Sequence, residues 1–454
     1  MKSFVKGEAK EVRGIIGRIR RRDFSGNAGL VIKNSIFSFA TSLVSKIGGL
    51  FFTVILARLL LPEAFGLYSL ALSTILLFCV FSDLGVSSAL IKFISSSVHQ
   101  KKSKAYFYYL FKIKMILSAL AVILLLSSAY FISNYYYQKP IFYALLAGAV
   151  YIIFSSIYGV FSSIFPSINN FKVGFFQEII FQISRIALVS LSILFFISKV
   201  YEESLVIIVI LMLSLSYVLV FLFVFIVARR KVKFFKAEKG TLSDKEKKAI
   251  TRLILSLSLL SVSGIFFGYI DIIVLGRFVS SEFIGYYRAA FSLFASAAPL
   301  ITFSGVLFPI FNRLKGKKLE KGFRKSRRIT FLLGLAVMGV TFFLATPIIL
   351  ILFGESYSPS IVMLQVLSLL LFMSPIIALY EAYFISQNKI KILARLLIWS
   401  TLLNIMLNIL FVIWLIKYGE LQAVMGVCVA TIFSRGFYLA GLGIYKLRVG
   451  TKNF

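Results

Sequence analysis

Apolar runs of about twenty residues or more follow one another along the chain, separated by short polar segments. In the first half they predict helices near 34–60, 64–93, 106–132, 141–165, 172–197 and 204–227. In the second half the same pattern falls near 253–278, 283–311, 329–353, 359–386, 390–416 and 421–445. Each run is long enough to cross a hydrocarbon core of about 30 Å. Pro62 should stop the first helix and Pro166 the fourth, and Asp83–Leu84–Gly85 should break the second. The expected fold class is an all-α integral membrane protein with about twelve transmembrane helices.

The polar segments alternate in charge. Lys92, Lys101, Lys102 and Lys104 form one basic loop, Arg229–Arg252 a second, and Arg313–Arg328 a third with nine basic residues; Lys446, Arg448 and Lys452 close the chain. The intervening loops hold a lone Lys139, or, in Lys199–Glu203, at least as many acids as bases. This is the positive-inside pattern, and it places both termini in the cytoplasm. The expected organisation is a basic N-terminal segment (1–30), a six-helix lobe (31–228), a basic linker (229–252), a second six-helix lobe (253–446) and a tail (447–454). Met1–Asp23 interleaves basic and apolar residues in the manner of an interfacial helix, and no small-residue cleavage site marks it as a signal peptide.

A repeat relates the halves. Ala57–Ser73 aligns without a gap on Gly276–Ser292, matching at Arg58/Arg277, Glu63/Glu282, Gly66/Gly285, Tyr68/Tyr287, Ala71/Ala290 and Ser73/Ser292. With six spans per half, both copies enter the membrane from the same side. The repeat is therefore parallel, about an axis along the membrane normal, with a cavity expected between the lobes.

The net charge of +33 would suit a nucleic-acid partner, but its confinement to alternate loops assigns it to topology, and no nucleic acid is expected. Cys79 and Cys428 lie inside apolar runs, where neither a disulfide framework nor a zinc site fits. The single histidine, His99, sits among lysines and serines as a solvated residue, which leaves histidine catalysis without support. There is no Gly-rich phosphate loop, and the outer loops are too short to house the catalytic residues of a membrane glycosyltransferase, polymerase or ligase. No catalytic residue, metal or cofactor is expected.

Charges inside the spans are the informative residues, because each costs at least about 2.5–3.5 kcal/mol near a bilayer centre and so faces protein or water. They are Lys46, Asp83, Glu178, Arg185, Asp271, Glu381 and Arg435. Ser42, Lys46, Gly49 and Thr53 share a helical stripe; so do Glu178, Gln182 and Arg185, then Ser261, Gly264, Gly268 and Asp271, and finally Ser374, Ala378 and Glu381. Such stripes line cavities, and they also form helix-packing surfaces. Lys46 has no acid on its own helix and points to an anionic ligand. Glu178 and Arg185 are either a structural pair or part of the lumen. Asp83 and Asp271 either brace helix ends or couple to an ion. Arg58 and Arg277, at equivalent membrane edges, either snorkel to headgroups or form a basic rim for a phosphate. Tyr135–Tyr137 are an interfacial belt or a stacking platform for sugars.

Ala57–Ser73 with Asp83–Leu84–Gly85, Asp271–Ser292 with Phe308–Pro309 and Arg313, and Asn404–Ser434 (NIMLNILFVIWLIKYGELQAVMGVCVATIFS) together resemble the polysaccharide-type (Wzx-like) flippases. These belong to the multidrug/oligosaccharidyl-lipid/polysaccharide exporter superfamily. The resemblance runs from Lys33 to Lys446. It implies two six-helix lobes and export of a lipid-linked oligosaccharide across the cytoplasmic membrane, among membrane lipids and polysaccharide-assembly proteins. The substrate-binding candidates are then Lys46, Arg58, Arg185 and Arg277. The candidates for coupling to H+ or Na+ are Asp271, Asp83, Glu178 and Glu381. A drug/cation antiporter of the same superfamily is the alternative, and it would favour acids over cations in its cavity.

Overall fold

The computed structural model describes residues 26–97, 100–238, 240–302, 311, 314 and 316–451. The basic segment 1–25, His99, Lys239, Phe308–Pro309, Arg313 and Lys452 lie outside them, as do the side chains of Ser261, Gly264 and Gly268. The described chain is built from helices: α1 (Gly26–Asp83), α2 (Val86–Ser96), α3 (Gln100–Tyr130, continued by a π-helical turn Phe131–Tyr137), α4 (Phe142–Ser167), α5 (Phe171–Phe196) and α6 (Glu202–Lys231). The second half supplies α7 (Asp244–Phe278), α8 (Ser281–Ile301), α9 (Gly316–Phe343), α10 (Ala345–Leu352), α11 (Ser360–Ser386), α12 (Ile390–Leu415) and α13 (Glu420–Thr451). Among the described residues, nine helices are long and apolar enough to cross a membrane.

The breaks fall where the backbone cannot continue. Leu61 leaves the helical region (φ 59°, ψ 172°) immediately before Pro62, whose ring disfavours the α conformation in the preceding residue. α1 is thus two limbs. Its second limb ends at Asp83, where Leu84 (φ 42°) and Gly85 (φ 88°) turn left-handed before α2. Gly85 is needed twice over, since a Cβ there would also lie 2.6 Å from the Leu257 Cβ of α7. The turn expected over Ser133–Pro140 is shorter than that, because the π turn carries the helix to Tyr137 before Gln138 (φ 54°) ends it.

Two basic loops are also shorter than expected. Lys and Arg are good helix formers, so helices run on past the membrane edge through basic sequence. α6 extends to Lys231, α7 starts at Asp244 behind a capping box of Ser243 and Glu246, and α9 starts at Gly316. Glu246 fixes the short linker to α3. It accepts from Lys102 Nζ at 2.8 Å, Tyr106 Oη at 2.9 Å and the Ser243 amide at 2.9 Å. The Lys102 bond leads these contacts in holding the Glu246 carboxyl down at about 2.

The buried apolar core has an uneven layout that positions everything else. At the end opposite the basic loops one cluster runs through both halves, from Phe52–Ile75 and Tyr137–Ile152 to Ile270–Phe291 and Ala345–Leu370. At the basic end, among the described residues, there are two separate clusters. One is made by α2, α3, α4, α5 (Val173), α6 and the start of α7 (Ile250, Ile254), the other by Phe311, α9, α11, α12 and α13. Among the described residues the halves share one core at one end, while at the other the clusters are separate and only the start of α7 packs across. α7 bridges them, with its start in the first-half cluster and its end, Ile270–Leu275, in the shared core.

If the basic loops are cytoplasmic, single cysteines at Lys101 and Lys318, in a background lacking Cys79 and Cys428, should resist an impermeant thiol reagent in intact cells. One at the exposed Glu202 should react. Labelling of Lys318→Cys from outside would invert the topology.

Candidate functional site

The first-half wall of the candidate site is made by α1 and α5. Gly48 and Gly49 let α5 approach closely: a Cβ on Gly48 would lie 2.6 Å from Gln182 Oε1, and one on Gly49 would lie 3.5 Å from an Arg185 terminal nitrogen. Arg185 is therefore packed against α1 about one turn from Lys46. Its guanidinium stacks over Phe52 at 4.6 Å and Phe181 at 5.2 Å, and donates to Gln182 Oε1 at 2.5 Å. Gln182 in turn donates to Glu178 at 2.6 Å. Glu178 and Arg185 are thus linked through Gln182 without pairing directly, and Arg185 Nε is buried with no partner. Lys46, half-buried, makes no hydrogen bond or ion pair among the described residues.

The second half contributes a cation absent from the set of in-span charges named above. Arg288 lies on α8, half-buried and without a hydrogen bond or ion pair among the described residues. It is within electrostatic reach of Tyr68 and Tyr287, and Arg185 is also within reach of Tyr68. Tyr68 is thus within electrostatic reach of one guanidinium from each half. The signal was legible, since Arg288 falls inside the run expected at 283–311.

Asp271 is fully enclosed in the second half. It accepts from Tyr287 Oη at 2.5 Å, Asn408 Nδ2 at 2.6 Å and Thr431 Oγ1 at 2.9 Å, while Asn404 bonds both Asn408 and Thr431. Asn408 Oδ1 is buried without a partner. A lone carboxylate among carbonyl and hydroxyl oxygens is a donor set for a hard monovalent cation or a proton. Among the described residues no three His, Cys, Asp or Glu side chains converge on a metal position.

The remaining in-span acids are engaged. Asp83 pairs with Lys114 of α3, whose side chain is 5% exposed, and caps α2 through the Ser87 hydroxyl at 2.6 Å and the Gly85 amide at 3.2 Å. Lys114 lies inside the run expected at 106–132 and completes a brace at the break. Glu381 accepts from Tyr438 Oη at 3.1 Å and lies within reach of Arg435.

Arg58 and Arg277 are both exposed, and both are engaged by backbone carbonyls. Arg58 donates from Nε to the Leu352 carbonyl at 2.7 Å and from a terminal nitrogen to the Ile351 carbonyl, at the end of α10. Arg277 donates to the Tyr136 carbonyl at 2.9 Å and, more weakly, to that of Tyr135 at 3.4 Å. Each arginine grips the opposite half. Tyr137 is buried and bonds Thr74 at 3.2 Å, whereas Tyr135 and Tyr136 are exposed.

The polysaccharide biosynthesis protein family model matches residues 55–362, more than half of the chain. The chain belongs to that family. Among solved structures it is similar to the lipid II flippase MurJ in an inward closed conformation, with TM-score 0.71, 19% identity, and 89% of this chain and 86% of that one covered. It is also similar to an inward-facing multidrug resistance MATE family transporter of the MOP superfamily, with TM-score 0.60, 17% identity, and 92% and 96% covered. The same superfamily's outward-facing MATE structure gives TM-score 0.56 at 16% identity, over 94% and 97% of the two chains. A search of curated proteins found no match. This family member therefore has the fold of a multi-pass MOP-superfamily transporter, as its sequence motifs suggested.

The Asp83–Lys114 brace predicts a definite stability pattern. Asp83→Asn strands the buried ammonium and should cost about 2 kcal/mol, less than a fully buried pair because a third of the Asp83 side chain is exposed. Adding Lys114→Met should recover most of that loss. Thermal unfolding in detergent distinguishes the outcomes; a double variant no more stable than Asp83→Asn would reduce the pair to a surface contact.

Proposed function

We propose that this protein is a flippase that moves a polyprenyl-(pyro)phosphate-linked oligosaccharide from the cytoplasmic to the outer leaflet of the cytoplasmic membrane by alternating access. The observation that carries this reading is the core, which among the described residues is continuous across the halves at one end and forms separate clusters at the other. Two six-helix lobes, 31–228 and 253–446, rocking about the joined end would expose the space between them to one side at a time. The polar head of such a substrate cannot cross hydrocarbon, whereas its lipid tail need not leave it. Only the head needs a path.

The charges favour an anionic head. Lys46, Arg185 and Arg288 are in-span cations with no acid paired to them, whereas Asp83, Glu178, Asp271 and Glu381 are all held by hydrogen bonds or an ion pair. A charge-assisted contact to phosphate is roughly twice as strong as a neutral one. The drug/cation antiporter reading draws on the similarity to MATE structures, and these same charges oppose it. With a membrane potential negative inside, outward movement of an anionic head is favoured by about 2.3 kcal/mol per charge per 100 mV.

Complementation of surface-glycan export, normalised to membrane abundance, tests the path. Lys46→Arg should retain export, and Lys46→Ala or Arg288→Ala should lose most of it. Lys46→Glu should abolish it. Wild-type export by well-expressed Lys46→Glu and Arg288→Glu variants would remove both residues from the path and, with them, the anionic-substrate reading.

Asp271 is the coupling residue in this proposal, as the acid with an oxygen-lined enclosure fit for Na+ or H+. In proteoliposomes Asp271→Asn should flip substrate more slowly and lose the dependence on sodium or pH that the wild type shows. Transport by the variant with that dependence unchanged would reject Asp271 as the coupling site.

A further inference from the structure

Six contacts at the joined end fall into three pairs that the sequence repeat interconverts. Arg58 grips the Ile351 and Leu352 carbonyls that end α10, and its equivalent Arg277 grips the Tyr135 and Tyr136 carbonyls that end the π turn of α3. The neighbouring carbonyls are gripped in return: Ala57 accepts from Tyr357 Oη at 2.8 Å, and its equivalent Gly276 accepts from Lys139 Nζ at 2.7 Å. The third pair is steric. A Cβ on Gly66 would overlap the carbonyl oxygen of Ser281, and a Cβ on its equivalent Gly285 would overlap that of Pro62, which is itself the equivalent of Ser281.

Each half thus offers the same three elements to the other: a guanidinium that donates, an adjacent carbonyl that accepts, and a glycine that admits the opposing backbone. Helix ends carry unsatisfied carbonyls and partial negative charge, so a guanidinium placed there is favoured twice. A planar fork also suits two neighbouring carbonyls better than an ammonium would. The Pro62 break and the left-handed Leu61 keep the first copy's motif open to its partner, and the Val279–Ser280 break does the same for the second. All of these bonds join residues of opposite halves, so all must part for the halves to separate at this end.

We propose that the duplicated motif is a reciprocal latch, two copies of one catch, whose closure keeps the end opposite the basic loops shut and whose release opens it. The purpose of the latch rests on the alternating-access reading, but its existence is testable without substrate. Spin labels at the exposed Asn134 and Ser356, in a Cys79→Ala, Cys428→Ala background, report the separation of the halves at this end in purified full-length protein in nanodiscs. The wild type should give one short distance. Arg58→Gln or Arg277→Gln should raise the separated population about tenfold relative to the closed one, and the double variant should raise it further than either.

Two further variants keep the test sound if arginine loss impairs folding. Tyr357→Phe with Lys139→Met removes only the return bonds, and Gly66→Ala pushes the backbones apart; both should also favour separation. Gly159→Ala, with no atom within 4 Å of the added Cβ, should leave the wild-type distance unchanged. A wild-type distribution in any well-folded one of the double arginine, Tyr357→Phe/Lys139→Met or Gly66→Ala proteins would overturn the latch. That result would leave the flippase reading to the export assay, and loss of export in Lys46→Glu would leave the latch intact.

Discussion

The close approach of two backbones at Gly66 and Gly285 is the contact on which the rest of the structure depends. In hydrocarbon there is no hydrophobic drive between helices, so association comes from tight packing and from polar groups that find partners. Here both coincide. The glycines bring α1 and α8 to backbone distance, and the neighbouring Arg58, Arg277, Tyr357 and Lys139 donate to helix-end carbonyls across the junction. Among the described residues this firm junction at one end goes with separate clusters at the basic end.

That geometry gives the in-span charges their meaning. A buried charge is tolerated when it is paired, hydrogen-bonded or faces water, and this chain holds examples of the first two. Asp83 with Lys114 braces a helix break far from the junction. Arg185 is held by Phe52, Phe181 and Gln182 but is left with a positive charge that no acid neutralises directly. Lys46 and Arg288 are held by less. Each half therefore carries an in-span cation that no acid pairs directly, and on the proposed function these would meet an anionic head.

Much of this was legible in the sequence, for physical reasons that differ by element. Apolar runs gave the spans because bilayer thickness sets helix length, and Pro62 and Asp83–Leu84–Gly85 gave the breaks because backbone sterics are local. The reach of α7 and α9 into basic sequence was not legible from hydropathy, which sees the membrane edge and is blind to helix propensity beyond it. The repeat drew attention to Arg58 and Arg277, yet their role differs from a phosphate rim in this state, because the carbonyls they grip lie 294 and 141 residues away in the chain. Lys114 and Arg288 stood inside expected spans and needed only to be counted. Asn404 and Asn408, one helical turn apart within Asn404–Ser434, signalled a polar enclosure, but only the fold brings them to Asp271.

The placement of Asp271 connects the proposed coupling site to the junction through two short steps. Tyr287 donates to Asp271 and lies two residues beyond Gly285 on α8, while Arg277 lies on α7 six residues beyond Asp271 itself. A cation or proton taken up at Asp271 would compete with the Tyr287 hydroxyl for the carboxylate, and so would change what holds α7 to α8. Those two helices carry the second-half copy of the latch. The first half has no acid at the position equivalent to Asp271, since Phe52 stands there and packs under Arg185. The duplicated frame has thus been specialised unequally. One half has a buried, hydrogen-bonded carboxylate behind its catch, and the other has at the equivalent position an aromatic ring that supports a guanidinium.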